Sequence, residues 1–453
     1  MTAPNDRYLT RDALTAMIHD REIDTVIMAF TDMQGRLQGK RLHAAYFLQF
    51  AMEHGTGGCN YLLAVDIEMA TVDGYEISSW ERGYGDMEFV PDWSTLRRLT
   101  YLPATVIVQC DLTWPDGSPV RQAPRTILRE QIDRLKQRDL MAVAGTELEF
   151  ILFNDTYEQA HELHYRSLTP ANQHNVDYSL GSTTRVEPLM RAIRNHMYDA
   201  GMDVESAKGE CNFGQQEIGF LFADALITAD NHSVYKNAAK EIAAQHGQSV
   251  TFMAKYNQRE GNSCHVHMSL RGVDGSLVFW DDSRRSKTYD YFVAGVLSTM
   301  REFALIYAPN VNSYKRFVAG SFAPTAIAWG SDNRTCAIRL LGSGAAARME
   351  NRVPGGDVNP YLVLAAMIAG GLHGIDNQIT LEEELVGNAY DSDKPRMPLT
   401  LREARDLFAS SALARNAFGD DVVDHYTNMA DVELSAFDAS VTDWELVRGF
   451  ERM

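Results

Sequence analysis

An α+β fold is predicted for this chain, with a small β-rich domain over residues 1–115 and a large mixed domain over residues 116–453. Three observations lead there. Two apolar runs rich in β-branched residues lie in the first part. A dense turn cluster, Trp114-Pro-Asp-Gly-Ser-Pro119, follows them. Beyond it, helical and strand patterns alternate to the end.

In chain order, Thr10 to His19 reads as a helix opened by Thr-Arg-Asp. Asp24-Thr-Val-Ile-Met-Ala-Phe-Thr31 reads as a strand, and Asp32-Met-Gln-Gly35-Arg as the turn leaving it. Tyr101 to Asp111 holds a second apolar strand. Pro124 sits where a first-turn proline is tolerated, opening an amphipathic helix through Arg138 with Ile127, Leu128, Ile132 and Leu135 on one side. From Leu399 onward the pattern is helical and polar. There is no internal repeat or low-complexity tract.

The 45% hydrophobic and 23% charged content is ordinary for a globular protein. Lys+Arg 42 against Asp+Glu 61 gives a net charge of −19, which argues against nucleic acid or an anionic membrane as partner. Five cysteines without a CxxC pair fit a reducing compartment. Cys211 and Cys264 read as packing residues. The segment Met1 to Tyr8 lacks the apolar core of a leader, and no apolar run is long enough to span a bilayer. A cytoplasmic location is expected.

The chemistry is concentrated in acidic and imidazole residues scattered over some 200 positions. Glu147 and Glu149 share one strand face, and so do His265 and His267. Glu210 and Glu217 close a Gly- and Gln-rich stretch, and Glu350 stands between Arg348 and Arg352. Each has a mundane counterpart: a solvated strand end, half-buried histidines, a surface ion ladder of little energetic value. Five oxygen donors (Glu147, Glu149, Glu210, Glu217, Glu350) with one imidazole, His265, suit Mg²⁺ or Mn²⁺ better than Zn²⁺. Arg316, Arg334 and Arg339 lie in apolar, Gly- and Pro-rich surroundings, where solvated faces seldom put arginine. Divalent metal beside guanidinium is equipment for ATP phosphates.

The order of these motifs resembles the glutamine synthetase superfamily of the bacterial type over nearly the whole chain. The matching segments are Phe30-Thr-Asp-Met-Gln-Gly35, Gly145-Thr-Glu-Leu-Glu-Phe, Val204-Glu-Ser-Ala-Lys-Gly-Glu-Cys-Asn-Phe-Gly-Gln-Gln-Glu217, His265-Val-His-Met-Ser269, Asn312-Ser-Tyr-Lys-Arg316, Asn333-Arg334 and Arg348-Met-Glu-Asn-Arg352. The resemblance implies a β-grasp-like N-terminal domain and a catalytic domain built on a curved antiparallel sheet with helices. It implies that Glu149, Glu210 and Glu217 hold a metal on the glutamate side, and Glu147, His265 and Glu350 one on the nucleotide phosphates, two or three ions per site. Glu205, Phe222, His267, Ser269, Arg339 and Arg348 correspond to nucleotide contacts. Gly261, Arg316 and Arg352 correspond to glutamate contacts, Arg334 to the cation on the transferred phosphoryl, and Asp32 to the acceptor of the amine's proton. The family assembles as a dodecamer of two hexameric rings, with Asp32 acting in a neighbour's site.

One departure bears on the substrate. Glutamine synthetases carry a glutamate six residues after the arginine of Asn-Ser-Tyr-Lys-Arg; here that position is Phe322. Phenylalanine cannot bind ammonium through charge, but it offers a wall to the carbon skeleton of a larger amine. The chain therefore more resembles the branch that joins glutamate to organic amines, and most of all actinobacterial glutamate–ethanolamine ligases. A polyamine such as putrescine or spermine, ammonium itself, and a non-catalytic structural or sensory role are the other readings. Tyr390 lies near where some family members carry a nucleotidylated tyrosine and reads as a loop or packing residue.

Overall fold

The computed structural model describes residues 7–453. The leader reading rests mainly on the first six residues, which lie outside the described residues. Strands are β1 Thr25–Thr31, β2 Leu37–His43, β3 Thr56–Cys59, β4 Asp86–Pro91, β5 Arg97–Arg98 and β6 Thr105–Thr113 in the first part. They form one sheet in the order β2-β1-β6-β4-β3, with β5 on β6. β1 and β6 pair in parallel and the remaining contacts are antiparallel. The hairpin between β1 and β2 turns at Gly35, whose φ of +78° is a conformation glycine adopts without a Cβ clash. The helix Arg11–His19 starts where Thr10 accepts a hydrogen bond from the Ala13 amide.

The second sheet is built from β7 Leu140–Phe153, β8 Val204–Gly209, β9 Gln215–Phe220, β10 Ala223–Asp224, β11 Ser249–Thr251 and β12 Cys264–Gly272. After the short hairpin β13 Trp280–Asp281 and β14 Arg284–Arg285, it is completed by β15 Trp329–Ser331, β16 Ile338–Leu341 and β17 Arg348–Asn351. Its order is β15-β16-β17-β12-β7-β9-β8, with β10 and β11 also on β7. The expected antiparallel pairing holds except at β15 and β16, which run parallel. Strand β7 is paired over its whole length, by β12 from Leu140 to Leu148, β9 from Leu148 to Ile151 and β11 from Ile151 to Phe153, and its far end is buried on both faces.

Helices Pro124–Lys136 and Ala225–Gln245 pack against the sheets, and Pro360–Asp376 packs against both of these helices. The last is buried nearly all round. A Cβ at Gly295 or Gly374 would collide with facing backbone, so glycine lets Lys287–Thr299 lie close against it. The polar C-terminal stretch forms four helices between Leu401 and Gly449, as its pattern predicts. Among the described residues no helix is long and apolar enough to cross a membrane.

A buried ion network joins these layers. Arg125, at the start of its helix, donates from Nε and Nη2 to both oxygens of Asp230, each at 2.9 Å. It also donates to Asp111 on β6 at 2.5 Å and to Asp92, just after β4, at 2.8 Å. Tyr361 donates to Asp230 at 2.6 Å. Deleting the guanidinium strands Asp230, 1% exposed, as an uncompensated buried charge. Arg125→Met is therefore expected to lower the unfolding free energy by about 3–5 kcal/mol in urea titrations. Arg121→Met, whose ion pairs are exposed, is expected to lower it by about 1 kcal/mol or less.

Candidate active site

The second sheet brings the scattered acids together through its register. Across β7, Glu147 stands opposite His265 of β12, and Glu149 opposite Glu217 of β9. Lys208 of β8 faces Glu217 from the other side. Glu350 of β17 lies between His267 of β12 and Arg339 of β16. Side chains two apart on a strand share a face, so these register pairs gather acids from distant segments over one cavity.

The cavity, of about 240 Å³, is lined by Glu147, Glu149, Glu210, Glu217, His265 and Glu350 on its floor. Gly261, Phe322, Arg334, Arg339 and Arg352 complete the predicted lining. Arg316 stands behind the wall. Its guanidinium is spent on Val353 O at 2.7 Å, Ser263 Oγ at 2.9 Å and Arg352 O at 3.0 Å. His267, Ser269 and Arg348 continue along β12 and β17. Arg348 Nε lies 3.2 Å from His267 Nδ1, and Ser269 donates to Ala347 O at 2.8 Å. Phe222 is exposed beside Gly145, and Glu205 is exposed on β8. Asp32 is not among the residues lining the cavity of its own chain; it is fully buried and held by Arg36 at 2.8 Å and Gln38 at 2.9 Å.

Two groups of ligand-type atoms gather predicted site residues, beside a third made of Asp177, Glu210 and Cys211. Glu149, Glu210 and Glu217 offer oxygens within 4.8 Å of one another, and so do Glu147, His267 and Glu350 with their nitrogen and oxygens. His265 Nδ1 is 3.3 Å from Glu147 and 3.5 Å from Glu350, while its Nε2 is buried without a partner. Both imidazoles thus face the same pair of carboxylates. The donor chemistry, carboxylate oxygens with one or two imidazole nitrogens, fits a hard divalent cation.

The charges fit it as well. Burial pushes Glu217 up to about 8, with Glu147 and Glu149 adding repulsion and Lys208 opposing it. Burial also works against an ionised Glu147, yet hydrogen bonds from His265 and His267 hold it well below the usual carboxylate range. Burial and Arg352 push His265 down. Burial disfavours the Glu350 carboxylate too, but His265 and Arg352 keep it low. Arg352 and Arg339 donate to it at 2.5 Å and 3.0 Å.

Sequence reading missed several lining residues. Lys208 pairs with Glu210 and, at 3.7 Å, with Glu217, and lies over the Tyr178 ring at 5.0 Å. Its place two residues before Glu210 was the available signal. Asp177 and Tyr178 come from an irregular loop that no periodicity marks. Cys211, expected to be a packing residue, instead lines the cavity with Sγ 3.6 Å from Asp177. Cys264 is buried as expected.

Comparison with known proteins adds a third line. Residues 121–448 match the family described as glutamine synthetase, catalytic domain. A gamma-glutamylethanolamide synthetase of Streptomyces coelicolor is 60% identical over 442 residues, covering 98% of this chain and 96% of that protein. A glutamate–isopropylamine ligase of a Pseudomonas species is 38% identical over 439 residues, covering 95% and 96%. A solved GmaS–ADP complex superposes with a TM-score of 0.86 at 26% identity, covering 97% of this chain and 99% of the other.

The state of Glu217 yields a pH prediction. With burial pushing it up to about 8, this carboxyl is expected to hold its proton at neutral pH and to give it up to a bound cation. Calorimetry with Mn²⁺ in buffers of different ionisation enthalpy is expected to show release of about one proton at about pH 7. Affinity should rise with pH and level off above about 8. In the metal-free protein the same shift removes stability between an ordinary 4.5 and about 8, because the unfolded chain loses the proton first. Glu217→Gln is expected to abolish both effects.

Proposed function

Because this chain belongs to the glutamine synthetase family, we propose that it joins the γ-carboxylate of glutamate to ethanolamine, converting ATP to ADP and phosphate. The chain is a glutamate–amine ligase by its relatives. The choice of ethanolamine is supported by the name of the 60% identical relative. The observation that carries the organic-amine reading is Phe322, an aromatic ring in the lining of a cavity otherwise crowded with charge.

The chemistry proceeds in two displacements. The γ-carboxylate oxygen attacks the terminal phosphorus of ATP, the bond to ADP breaks, and γ-glutamyl phosphate forms. The amine nitrogen then attacks the acyl carbon, the C–O bond to phosphate breaks, and the amide remains. A carboxylate is a poor electrophile, so the first displacement makes the second possible.

Family members use ATP and divalent metals. We assign Glu149, Glu210 and Glu217 to one ion, Glu147, His265 and Glu350 to another, and Mg²⁺ or Mn²⁺ as the metal, two or three per site. A divalent cation there supplies charge neutralisation for phosphate and carboxylate oxygens. Arg334 and Arg339 approach the same cavity and are assigned to the transferred phosphoryl and the nucleotide, with Glu205, Phe222, His267, Ser269 and Arg348 extending the nucleotide contacts. Gly261 and Arg352 are assigned to glutamate. Arg316 is assigned to it through the wall it braces, since it lies outside the lining and bonds Val353 O, Ser263 Oγ and Arg352 O.

Asp32 is assigned as the acceptor of the amine's proton in a neighbouring copy, in a double hexameric ring. Its absence from the lining of its own chain's cavity supports that placement. The two sheets are assigned to separate domains, residues 1–115 and 116–453, in a cytoplasmic enzyme.

Phosphate release with glutamate and ATP, compared among ethanolamine, putrescine, spermine and ammonium, tests the reading. Ethanolamine is expected to give the largest kcat/KM, and a chelator to abolish the reaction. Ammonium as best acceptor would refute the argument from Phe322. Phe322→Glu is expected to shift the ethanolamine-to-ammonium ratio by about tenfold or more toward ammonium.

A further inference from the structure

Phe322 rides on an irregular segment, yet its backbone lies in the left-handed region at φ +57°. A bulky residue keeps that conformation only where its surroundings hold it. Two contacts do so. Tyr390 Oη donates to the carbonyl of Ala323 at 3.0 Å, and Arg352 Nη2 approaches the carbonyl of Phe322 at 3.5 Å. Arg352 is already engaged with Glu350, so Tyr390 is the more dedicated holder.

Tyr390 itself stands on a firm mount. Arg396 donates to Tyr390 O at 3.0 Å and to Ser392 O at 2.5 Å. Asn333 Nδ2 donates to Gly387 O at 2.8 Å, and the Ala389 amide donates to Thr335 Oγ1 at 2.9 Å. Ala389 also packs in a small core with Ala326, Ala328 and Cys336. Asn333 and Thr335 flank Arg334, which lines the cavity. The segment Gly387 to Ser392 is thus a strut between the loop of Arg334 and the segment of Phe322. Burial raises the phenol, which keeps it a donor.

We propose that Tyr390 is a positioning residue for the amine step: its hydroxyl pins the Phe322 segment over the cavity, fixing the amine wall and keeping water from the acyl phosphate. The inference rests on the ligase reading above. Its physical content is a competition at one carbon. When the segment is held, the amine nitrogen forms the new bond and phosphate leaves. When it is loose, water forms that bond instead, phosphate leaves, and glutamate is regenerated without amide.

Tyr390→Phe removes one oxygen and little else. Phosphate and γ-glutamylethanolamide are measured together, with KM for amine and for glutamate determined separately and thermal midpoints recorded. The variant is expected to release at least about twice as much phosphate per amide as the wild type. Its KM for ethanolamine should rise about three- to tenfold, the loss of one neutral hydrogen bond, with KM for glutamate within about twofold. In a Phe322→Ala background the same change is expected to add nothing, because the two act as a unit.

Unchanged coupling and amine KM would overturn the inference, as would equal rises in both KM values or additive effects in the double variant. If wild-type enzyme makes no amide from ethanolamine, the substrate reading fails by itself. Amine-independent phosphate release then still compares Tyr390→Phe with wild type, and equal rates would overturn the role of Tyr390.

Discussion

Crowding of like charge is the constraint on which the rest of this structure depends. Glu147, Glu149, Glu210, Glu217 and Glu350 face one cavity, in a chain already at −19. Carboxylates so close cannot all ionise in a partly buried site without cations. The protein answers in part with its own: Arg339 and Arg352 flank Glu350, and Lys208 enters between Glu210 and Glu217. The remaining deficit falls on Glu217, which burial, with Glu147 and Glu149 beside it, pushes up to about 8. A surplus of oxygen donors of this kind suits divalent charge, as the ligand assignment proposed above requires.

Holding that arrangement falls to buried polar braces. The segment after β17 carries Arg352 and is tied from several sides. Lys236 donates to Gly356 O at 2.8 Å, and Asp357 accepts from Asn310 at 2.9 Å and Ser313 at 2.6 Å. Arg316 holds Val353 O and Arg352 O. Asn359 reaches the first sheet, donating to Asp32 O at 2.9 Å and Met33 O at 3.2 Å. Each unmet partner would be costly in the interior, so these bonds confer geometry as much as stability. With the Arg125 network, they make the turn of Asp32 and the floor of the cavity parts of one framework.

Much of the fold was legible in local pattern. The β-branched and aromatic run of Thr25–Thr31, the two-residue spacing of Glu147 and Glu149, the proline opening Pro124–Lys136 and the polar helical tail all encode their elements locally. The second apolar strand was placed a few residues early, since Tyr101 is buried before β6 begins at Thr105. Burial alone does not mark where a ladder starts. The parallel pairing of β15 with β16 was not legible, because pairing direction is set by how the chain returns and not by which residues alternate.

The sequence alone determined the chemistry available: oxygen donors, imidazoles and guanidiniums in an order shared by one family, and an aromatic ring where an acid is expected. Residue identity carries those facts because charge, hardness and size belong to the side chain itself. Only the tertiary structure decided which groups meet. Register across β7, β9, β12 and β17 set Glu149 against Glu217 and both imidazoles against Glu147. Folding turned Arg316 into a brace and brought Lys208, Asp177 and Tyr178 into the cavity. Distance between segments far apart in the chain is a property of packing, and no local pattern contains it.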